Sequence, residues 1–197
     1  MIGDIDIDMS DRSVLLQNIK HTTATMIKDG KIVKHPTGIY VTDIPYNPLS
    51  NSSSIEYKKA EEMGYYKLDI LNVHLYEEAR NESHMIALMK EPDWSRLNDP
   101  IFVQKITHIG NHYEVMKRMP EPIDSIPRLA MFLAVIRPSK RYLIGETWKD
   151  VAKTVWNPPL DGGYHFKRSH SIAYAHMVVV AINLEVEKES NLSDKSD

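Results

Sequence analysis

Charged and aliphatic side chains alternate at the amino end of the chain. Asp4, Asp6 and Asp8 are interleaved with Ile5 and Ile7. Because successive side chains of a β-strand point to opposite faces, this alternation predicts a strand with one apolar face and one face of three carboxylates. Like charges on one face repel, and aspartate is a poor strand former, so a compensating group is expected. A divalent cation is the simplest candidate, and the alternative is an acidic edge that discourages aggregation between strands.

Further along the chain, the pattern predicts a mixture of short strands and helices. Ser10 or Asp11 can cap a helix after the acidic strand, and Asp29-Gly30 is a turn signal. Runs of β-branched and aromatic residues predict further strands, at residues 32–33, 38–42 and 65–71. Helical periodicity predicts helices over residues 54–63 and 72–89. After Pro92 the chain is predicted to be mostly helical, with helices near residues 100–106, 112–119, 125–136, 148–156 and 169–186.

Asp69 is the acidic residue in the otherwise largely apolar run over residues 65–71. A buried, unpaired carboxylate costs several kcal/mol unless it is neutralised or bound. One alternative is that Asp69 caps the helix predicted to follow it. If its strand instead lies beside the amino-terminal strand, Asp6, Asp8 and Asp69 are gathered in one place. That arrangement is typical of two-metal phosphoryl or nucleotidyl transfer.

Two compact positive clusters occur in the helical half of the sequence. The first follows the most apolar predicted helix, and the second lies at the start of the last helix; together they contain Arg137, Lys140, Arg141, Lys167, Arg168 and His170. Backbone N–H groups at a helix start attract phosphate, which makes the second cluster a candidate phosphate-binding site, and the positive charge of the first cluster makes it a candidate as well. The alternatives are a charge that complements a helix dipole for the first cluster and a solvated face for the second.

Composition narrows the class of protein. A chain of 197 residues, of which 42% are hydrophobic, is expected to form one domain of ordinary size or one with a satellite. The absence of cysteine excludes disulfides and thiolate metal sites. A net charge of −3 argues against a protein that coats nucleic acid through bulk charge, although local basic patches are compatible with it. No apolar run approaches the ~20 residues that span a bilayer, so a soluble cytoplasmic protein without a membrane partner is expected.

Four blocks of sequence, taken in order, carry a resemblance to a known family. They are Gly3-Asp-Ile-Asp-Ile-Asp-Met9 with the following Arg12, His35-Pro-Thr-Gly-Ile-Tyr-Val41, Gly64-Tyr-Tyr-Lys-Leu-Asp-Ile-Leu-Asn-Val-His-Leu75 and Phe166-Lys-Arg-Ser-His-Ser-Ile-Ala-Tyr-Ala175. A weaker fifth block is Met131-Phe-Leu-Ala-Val-Ile-Arg-Pro138. These blocks resemble segments of the C-family bacterial replicative DNA polymerases, the DNA polymerase III α subunit, from its palm and fingers.

The resemblance implies an α+β fold. Residues 1–91 would form a palm of the nucleotidyltransferase, polymerase β-like type, with a small mixed β-sheet. Residues 92–186 would form a helical region that resembles trimmed fingers, and residues 187–197 a flexible tail. The family's Gly-Ser-rich segment, which holds the incoming triphosphate, has no counterpart before the acidic strand. A compact phage-type or split polymerase is therefore expected, in the host cytoplasm if viral, with a protein partner that could supply the missing parts.

The resemblance also implies roles for individual residues. Asp6, Asp8 and Asp69 match the catalytic carboxylates that bind Mg²⁺ or Mn²⁺, and Asp4 matches a supporting aspartate that is counted among the metal ligands. Arg137 and residues 167–170 match fingers positions that face nucleotide and template. The activity expected is DNA-templated nucleotidyl transfer with primer–template DNA and dNTPs. Two alternatives stay open, namely a non-catalytic module of a replication or transcription complex and a metal-dependent nuclease.

Overall fold

The structure, a computed structural model, describes residues 5–159 and 166–193 of the chain. The chain divides into two compact units, Met1–Glu77 and Glu78–Asp197. Within the described residues, the strands all belong to the first unit and the second unit is built from helices. The α+β class predicted from the sequence is confirmed. The division falls earlier than residue 91, where the palm was predicted to end.

The first unit contains six strands and two α-helices among its described residues. The strands are β1 (Ile5–Met9), β2 (Thr22–Lys28), β3 (Lys31–Tyr40), β4 (Tyr46–Asn47), β5 (Ser52–Ser53) and β6 (Leu68–Asn72). The helices are α1 (Arg12–Asn18) and α2 (Tyr57–Glu62), and a 3₁₀ helix (His74–Glu78) follows β6. Asp11 caps α1, since its side chain accepts a hydrogen bond of 2.8 Å from the backbone N–H of Ser13.

Four of these strands form one sheet in the described part of the chain, in the order β1-β6-β3-β2. β1 runs parallel to β6, whereas β3 is antiparallel to both β6 and β2. The small mixed sheet predicted from the sequence is therefore confirmed. The first unit contains a buried apolar cluster, against which Ile55 and Tyr65 pack; its members are Ala24, Tyr40, Ile44 and Ala60.

A register shift interrupts the pairing of β2 with β3. Thr25 pairs with Lys34, but Thr23 pairs with Ile39, so residues 35–38 of β3 bulge against a single residue of β2. Pro36 lies in this bulge, where the N–H that proline lacks is not needed by the ladder. β3 is therefore one continuous strand, where the sequence pattern predicted two short strands around His35-Pro36. β2 itself was not predicted.

The helix predicted over residues 72–89 is instead two separate elements. The 3₁₀ helix His74–Glu78 ends before Asn81, whose side chain accepts a hydrogen bond of 2.9 Å from the N–H of His84 and starts α3 (Glu82–Leu88). An asparagine in this extended conformation is a strong N-cap, and a new helix begins there rather than continuing the old one.

The second unit packs its helices around an apolar core. Its α-helices are α3, α4 (Pro100–Gln104), α5 (Tyr113–Met116), α6 (Ile126–Val135), α7 (Trp148–Thr154) and α8 (Arg168–Ser193). Short 3₁₀ helices lie at Trp94–Asn98, Gly110–His112 and Pro138–Leu143. α6 packs against α8, and the buried hydroxyl of Ser171 donates a 2.6 Å hydrogen bond to the carbonyl of Ala130. The apolar sequence of α6, predicted to be buried, lies in this core.

α8 continues through residues that were predicted to be a flexible tail from 187 onward. Two of its glutamates are held by side chains of the same unit. Glu187 accepts hydrogen bonds of 2.9 and 3.0 Å from Nε2 of His84, and Glu189 is paired with Lys105 and Arg96. These contacts give the polar end of the helix a tertiary anchor, which composition alone does not reveal.

Among the helices that the structure describes, none combines the length and the apolar character that crossing a membrane requires.

Candidate functional site

Two carboxylates face each other across the parallel pair of β1 and β6. Asp6 is the register partner of Asp69, and Asp8 is the partner of Leu71. Register partners in neighbouring strands point to the same face of a sheet, and residues two apart in one strand do so as well. Asp6, Asp8 and Asp69 therefore share one face, on strands about 4.8 Å apart. The expectation that the two acidic strands are neighbours is confirmed.

Asp8 lies on this face in a partly buried position. The phenol of Tyr76, from the 3₁₀ helix after β6, donates a hydrogen bond of 3.3 Å to Oδ2 of Asp8. Burial raises the pKa of Asp8, the hydrogen bond from Tyr76 lowers it, and the charge of Asp6 raises it again, with a net rise. Burial and the Asp8 carboxylate raise the pKa of Tyr76 to about 12, so the phenol keeps its proton and stays a donor. Burial is the largest cause of the net rise in the pKa of Asp8, and the neighbouring Asp6 carboxylate adds to it.

Asp69 is buried and is held by two side chains. The hydroxyl of Thr37 donates a hydrogen bond of 2.7 Å to its Oδ1, and the ammonium of Lys67 forms an ion pair with its Oδ2. Only 11% of the Asp69 side chain and 12% of the Lys67 side chain are exposed, so the pair is shielded from water. A buried carboxylate needs such compensation, and Lys67 supplies it here.

The bulge in β3 brings Thr37 and His35 to Asp69. Gly38 is the register partner of Asp69, and a β-carbon at residue 38 would lie 2.8 Å from Cδ of Lys67 and 2.9 Å from Nδ1 of His35. Glycine is therefore required there, because the stem of Lys67 and the imidazole fill the space that a larger residue would need. Bulges re-aim side chains beside functional sites, and this one serves Asp69.

The protonation state of His35 follows from its hydrogen bonds. Its Nδ1 accepts a hydrogen bond of 2.8 Å from the backbone N–H of Gly38, so Nδ1 carries no proton and the neutral ring is protonated on Nε2. The approach of 3.6 Å between this Nδ1 and Oδ1 of Asp69 is consequently not an ion pair in that state. His35 positions the bulge, and its ring packs edge-on against Tyr57 at 5.3 Å.

Carboxylate oxygens are the ligands that Mg²⁺ and Mn²⁺ prefer, so Asp6, Asp8 and Asp69 fit such an ion in donor chemistry. The raised pKa of Asp8 is what a cation would reverse. Against this, Lys67 already compensates Asp69. Within residues 5–159 and 166–193, no group of three or more His, Asp or Glu side chains is arranged to hold a metal ion. A cation that binds Oδ2 of Asp69 would compete with the ammonium of Lys67. Asp4, the fourth predicted ligand, lies outside the described residues.

Lys140 was predicted to bind phosphate, but its ammonium group points into the protein. Its side chain is buried, and its ammonium donates hydrogen bonds of 2.9 and 2.8 Å to the carbonyls of Thr154 and Asn157. Those carbonyls lie at and just beyond the end of α7, where helix carbonyls lack intrahelical partners. The role that the contacts assign to Lys140 is to cap α7, because a buried ammonium needs acceptors and finds them there.

Arg137 stacks on an aromatic ring in the second unit. Its guanidinium lies 4.5 Å from the ring centroid of Phe166, and His170 stacks on the same ring at 6.3 Å with an angle of 10° between the planes. The Nε of Arg137 is buried and makes no hydrogen bond to the described residues. Arg141 is exposed, and its Nε donates to the carbonyl of Ile136 at 3.3 Å. No ion pair among the described residues involves either arginine.

Two histidines that were not predicted as site residues lie in the field of these arginines. Burial, and then the charge of Arg137, lower the pKa of His108, whose ring packs edge-on against Tyr174 at 4.8 Å. Burial, and then Arg141 and Arg137, lower the pKa of His112. Burial and the arginine charges therefore both disfavour the protonated form of these two histidines. We refer to His108, His112, Arg137 and Arg141 as the cationic cluster.

The remaining predicted phosphate-binding residues are at the start of α8. Lys167 and Arg168 are exposed, and His170 is partly buried against Phe166. The structure thus brings Asp6, Asp8 and Asp69 onto one sheet face and places Arg137 with Arg141 in the cationic cluster. It turns Lys140 inward.

The sequence analysis missed three residues that contact the carboxylates. The Lys-x-Asp spacing of Lys67 and Asp69 is a usable signal, because residues two apart in an extended segment share a face. Thr37 carries no such signal, since the bulge that re-aims it depends on pairing with a strand that was not predicted. Tyr76 was hidden by the prediction of a continuous helix.

No family model matches the chain, and no curated protein or solved structure matches it significantly.

Proposed function

We propose that this chain is a nucleotidyltransferase of the DNA polymerase type, whose first unit is a palm similar to that of the C-family replicative polymerases. Its substrates would be primer–template DNA and dNTPs. The observation that carries the proposal is the register of β1 and β6, which sets Asp6 opposite Asp69 with Asp8 on the same face. Paired carboxylates on adjacent strands are what two-metal nucleotidyl transfer requires.

Asp6, Asp8 and Asp69 would hold two Mg²⁺ or Mn²⁺ ions. Such ions lower the pKa of a primer 3′-hydroxyl and stabilise the negative charge of a triphosphate. The residues around the carboxylates would hold them in place. Thr37 orients Asp69 through its hydroxyl, and Tyr76 orients Asp8 through its phenol. Lys67 would neutralise Asp69 before an ion arrives.

The second unit would contribute phosphate binding. Arg137 and Arg141 lack carboxylate partners among the described residues, and phosphate is the anion that a planar guanidinium recognises well. The buried ring of Phe166 packs against Arg137 and His170 and so fixes the position of the guanidinium. Lys140 is left out of this role because its ammonium is already used by backbone carbonyls.

A second candidate is a non-catalytic module of a replication complex. One observation favours it, namely that the ammonium of Lys67 already compensates the charge of Asp69. A palm without catalytic chemistry would be stabilised by such a pair, and in an active palm a metal ion on the same oxygen would compete with it.

Primer extension tests the first candidate against the second. A labelled primer–template is incubated with dNTPs and Mg²⁺ or Mn²⁺, using the wild type and the variants Asp6→Asn and Asp69→Asn. We expect extension by the wild type and a loss of about three orders of magnitude in each variant, equivalent to roughly 4 kcal/mol of transition-state stabilisation. Asp43→Asn is the matched control, because Asp43 is exposed and pairs only with Lys20 at the surface.

Extension by Asp69→Asn at the wild-type rate would contradict the assignment of this carboxylate. Absence of extension by the wild type, with metal binding intact, would favour the module. A parallel incubation with metal and without dNTPs detects degradation of the DNA, which would identify a nuclease instead.

A further inference from the structure

The outer halves of β2 and β3 form a two-stranded ribbon that extends beyond the rest of the sheet. Their register pairs Thr25 with Lys34 and ends at Lys28 with Lys31, whereas β6 meets β3 only at Gly38 and Ile39. Asp29 and Gly30 have φ angles of 51° and 72°, which is the geometry of a tight two-residue turn with both residues left-handed. We refer to residues 25–34 as the lysine arm.

The base of the lysine arm is tied to the first unit. The hydroxyl of Thr25 donates a hydrogen bond of 2.9 Å to the carbonyl of Ile55, and Thr25 forms a bridge with Glu56. Beyond Thr25 and Met26 the arm is exposed on both faces. It is therefore a short, anchored projection with a defined register, which a surface loop of similar length would not be.

Exposed aliphatic side chains cover the arm. Ile27 and Ile32 are cross-strand partners on one face and are 59% and 62% exposed, and Val33 is 36% exposed on the other face. An unprotected ribbon with aliphatic side chains is prone to aggregation unless it is charged or covered. The arm therefore needs either a partner or a charge that keeps it apart from other chains.

Lysines supply that charge and point to the kind of partner. Lys28, Lys31 and Lys34 stand against the single acid Asp29, so the arm carries a charge of +2 in a chain whose net charge is −3. None of these three lysines forms an ion pair with a described residue, although lysines elsewhere in the unit, such as Lys20, do. Lys34 lies on the face of Ile27 and Ile32, and the pair Lys28–Lys31 lies on the opposite face. Positive charge is thus presented to both sides of the ribbon.

The dimensions of the ribbon match a groove of duplex DNA. The three steps from Thr25 to Lys28 span about 10 Å, and the major groove is ~12 Å wide and ~8.5 Å deep and admits a two-stranded ribbon. A ribbon in the groove has a phosphate strand on each side, which suits lysines on both faces. Aliphatic side chains at the centre can contact base edges and sugars.

We propose that the lysine arm binds duplex DNA by entering a groove, with Lys28, Lys31 and Lys34 on the phosphates of the two strands. The phosphate contacts are electrostatic and independent of sequence, and Ile27 and Ile32 add apolar contact within the groove. It goes beyond the proposed nucleotidyl transfer, because none of its residues contacts Asp6, Asp8 or Asp69 and no metal ion takes part.

Fluorescence anisotropy with a labelled duplex of mixed sequence tests the arm, with EDTA present so that metal chemistry has no influence. The triple variant Lys28→Gln/Lys31→Gln/Lys34→Gln is expected to bind roughly tenfold or more weakly at low salt. The slope of log Kd against log salt concentration should decrease by roughly 2 to 3, since each phosphate contact contributes about 0.9 to this slope. The control Lys58→Gln/Lys59→Gln/Lys90→Gln removes the same charge from exposed sites outside the arm and should keep most of the affinity and slope.

Ile27→Thr/Ile32→Thr is a second variant, which retains β-branched residues and so preserves the ribbon. We expect it to weaken binding without changing the salt slope. Equal losses in the arm variant and its control would overturn the proposal, since bulk charge alone would then explain binding. A second result would also overturn the proposal. In it, the triple lysine variant binds DNA as well as the wild type, and Ile27→Thr/Ile32→Thr abolishes self-association of the protein. The arm would then be a protein interface.

Discussion

At the scale of single residues, the buried ion pair of Lys67 with Asp69 sets the charge of the acidic sheet face that Asp6, Asp8 and Asp69 share. Side-chain period alone indicated which face carries Asp6 and Asp8, and the register with β6 confirms that Asp69 joins them. What the pattern did not reveal is that Lys67 already neutralises Asp69. The sequence predicted that a buried Asp69 needs compensation, through neutralisation, a bound cation or a helix cap, but it did not identify Lys67 as the group that supplies it.

The Lys67–Asp69 pair makes a prediction about stability. Lys67→Met keeps the length of the stem and removes the charge, so Asp69 is left buried without its partner. We expect the free energy of unfolding in EDTA to fall by about 3 kcal/mol. If Asp69 binds metal, Mn²⁺ should stabilise this variant more than the wild type, because the ion no longer competes with an ammonium. Urea unfolding with EDTA and with Mn²⁺ measures both effects.

Lys20→Met is the control for this experiment. Lys20 pairs with Asp43 where both side chains are about nine-tenths exposed, and such surface pairs contribute little. Its unfolding free energy should change by less than about 0.5 kcal/mol, with no added effect of Mn²⁺. A metal response in Lys67→Met no larger than that of the wild type would argue that Asp69 is not a ligand.

At the scale of elements, the errors of prediction share a physical cause, which is pairing between distant segments. The sequence pattern predicted an interruption of the strand at residues 35–38, because Pro36 cannot donate a hydrogen bond to a neighbouring strand. In the structure the bulge opposite β2 accommodates this proline within β3. The turn at Asp29-Gly30 was recognised, but only one of the two strands that it joins was predicted. Lys140 illustrates the same limit, because a basic run does not indicate which of its members turns inward.

The cationic cluster lies at the end of α6 and in neighbouring turns. From its histidines we predict how the stability of the protein depends on pH. The pKa values of His108 and His112 are lowered in the folded protein by burial and by the arginines. As pH falls through about 6.5, the unfolded chain gains protons at these histidines before the folded chain does. Their contribution to stability is therefore present above that pH and is lost below it.

We expect the variant His108→Asn/His112→Asn to lose less unfolding free energy than the wild type between about pH 7.5 and pH 5.5, where free histidine titrates. Asparagine suits residue 108, whose φ is 64°. The measurement is urea unfolding at the two pH values. His74→Asn, at an exposed position, serves as the control and should match the wild type. Identical pH dependence in the double variant and the wild type would refute the electrostatic account of the cluster.

At the scale of the whole molecule, composition and pattern were sufficient for the α+β class and the small mixed sheet. They did not reveal the division at Glu77 or the extent of α8, because both depend on contacts such as those of Glu187 and Glu189. The net charge of −3 also gives no indication of local positive charge, although Lys28, Lys31 and Lys34 lie together on the lysine arm. Strand periodicity is local and can be read from the sequence pattern, whereas tertiary anchors depend on contacts between distant segments.

The central claim is that Asp6, Asp8 and Asp69 bind divalent metal ions. Titration with Mn²⁺, with free Mn²⁺ followed by electron paramagnetic resonance, tests it most directly on the wild type, Asp69→Asn and the control Asp43→Asn. The account predicts saturable binding by the wild type and by Asp43→Asn, and a loss of that binding in Asp69→Asn. Equal Mn²⁺ binding by all three proteins would contradict it.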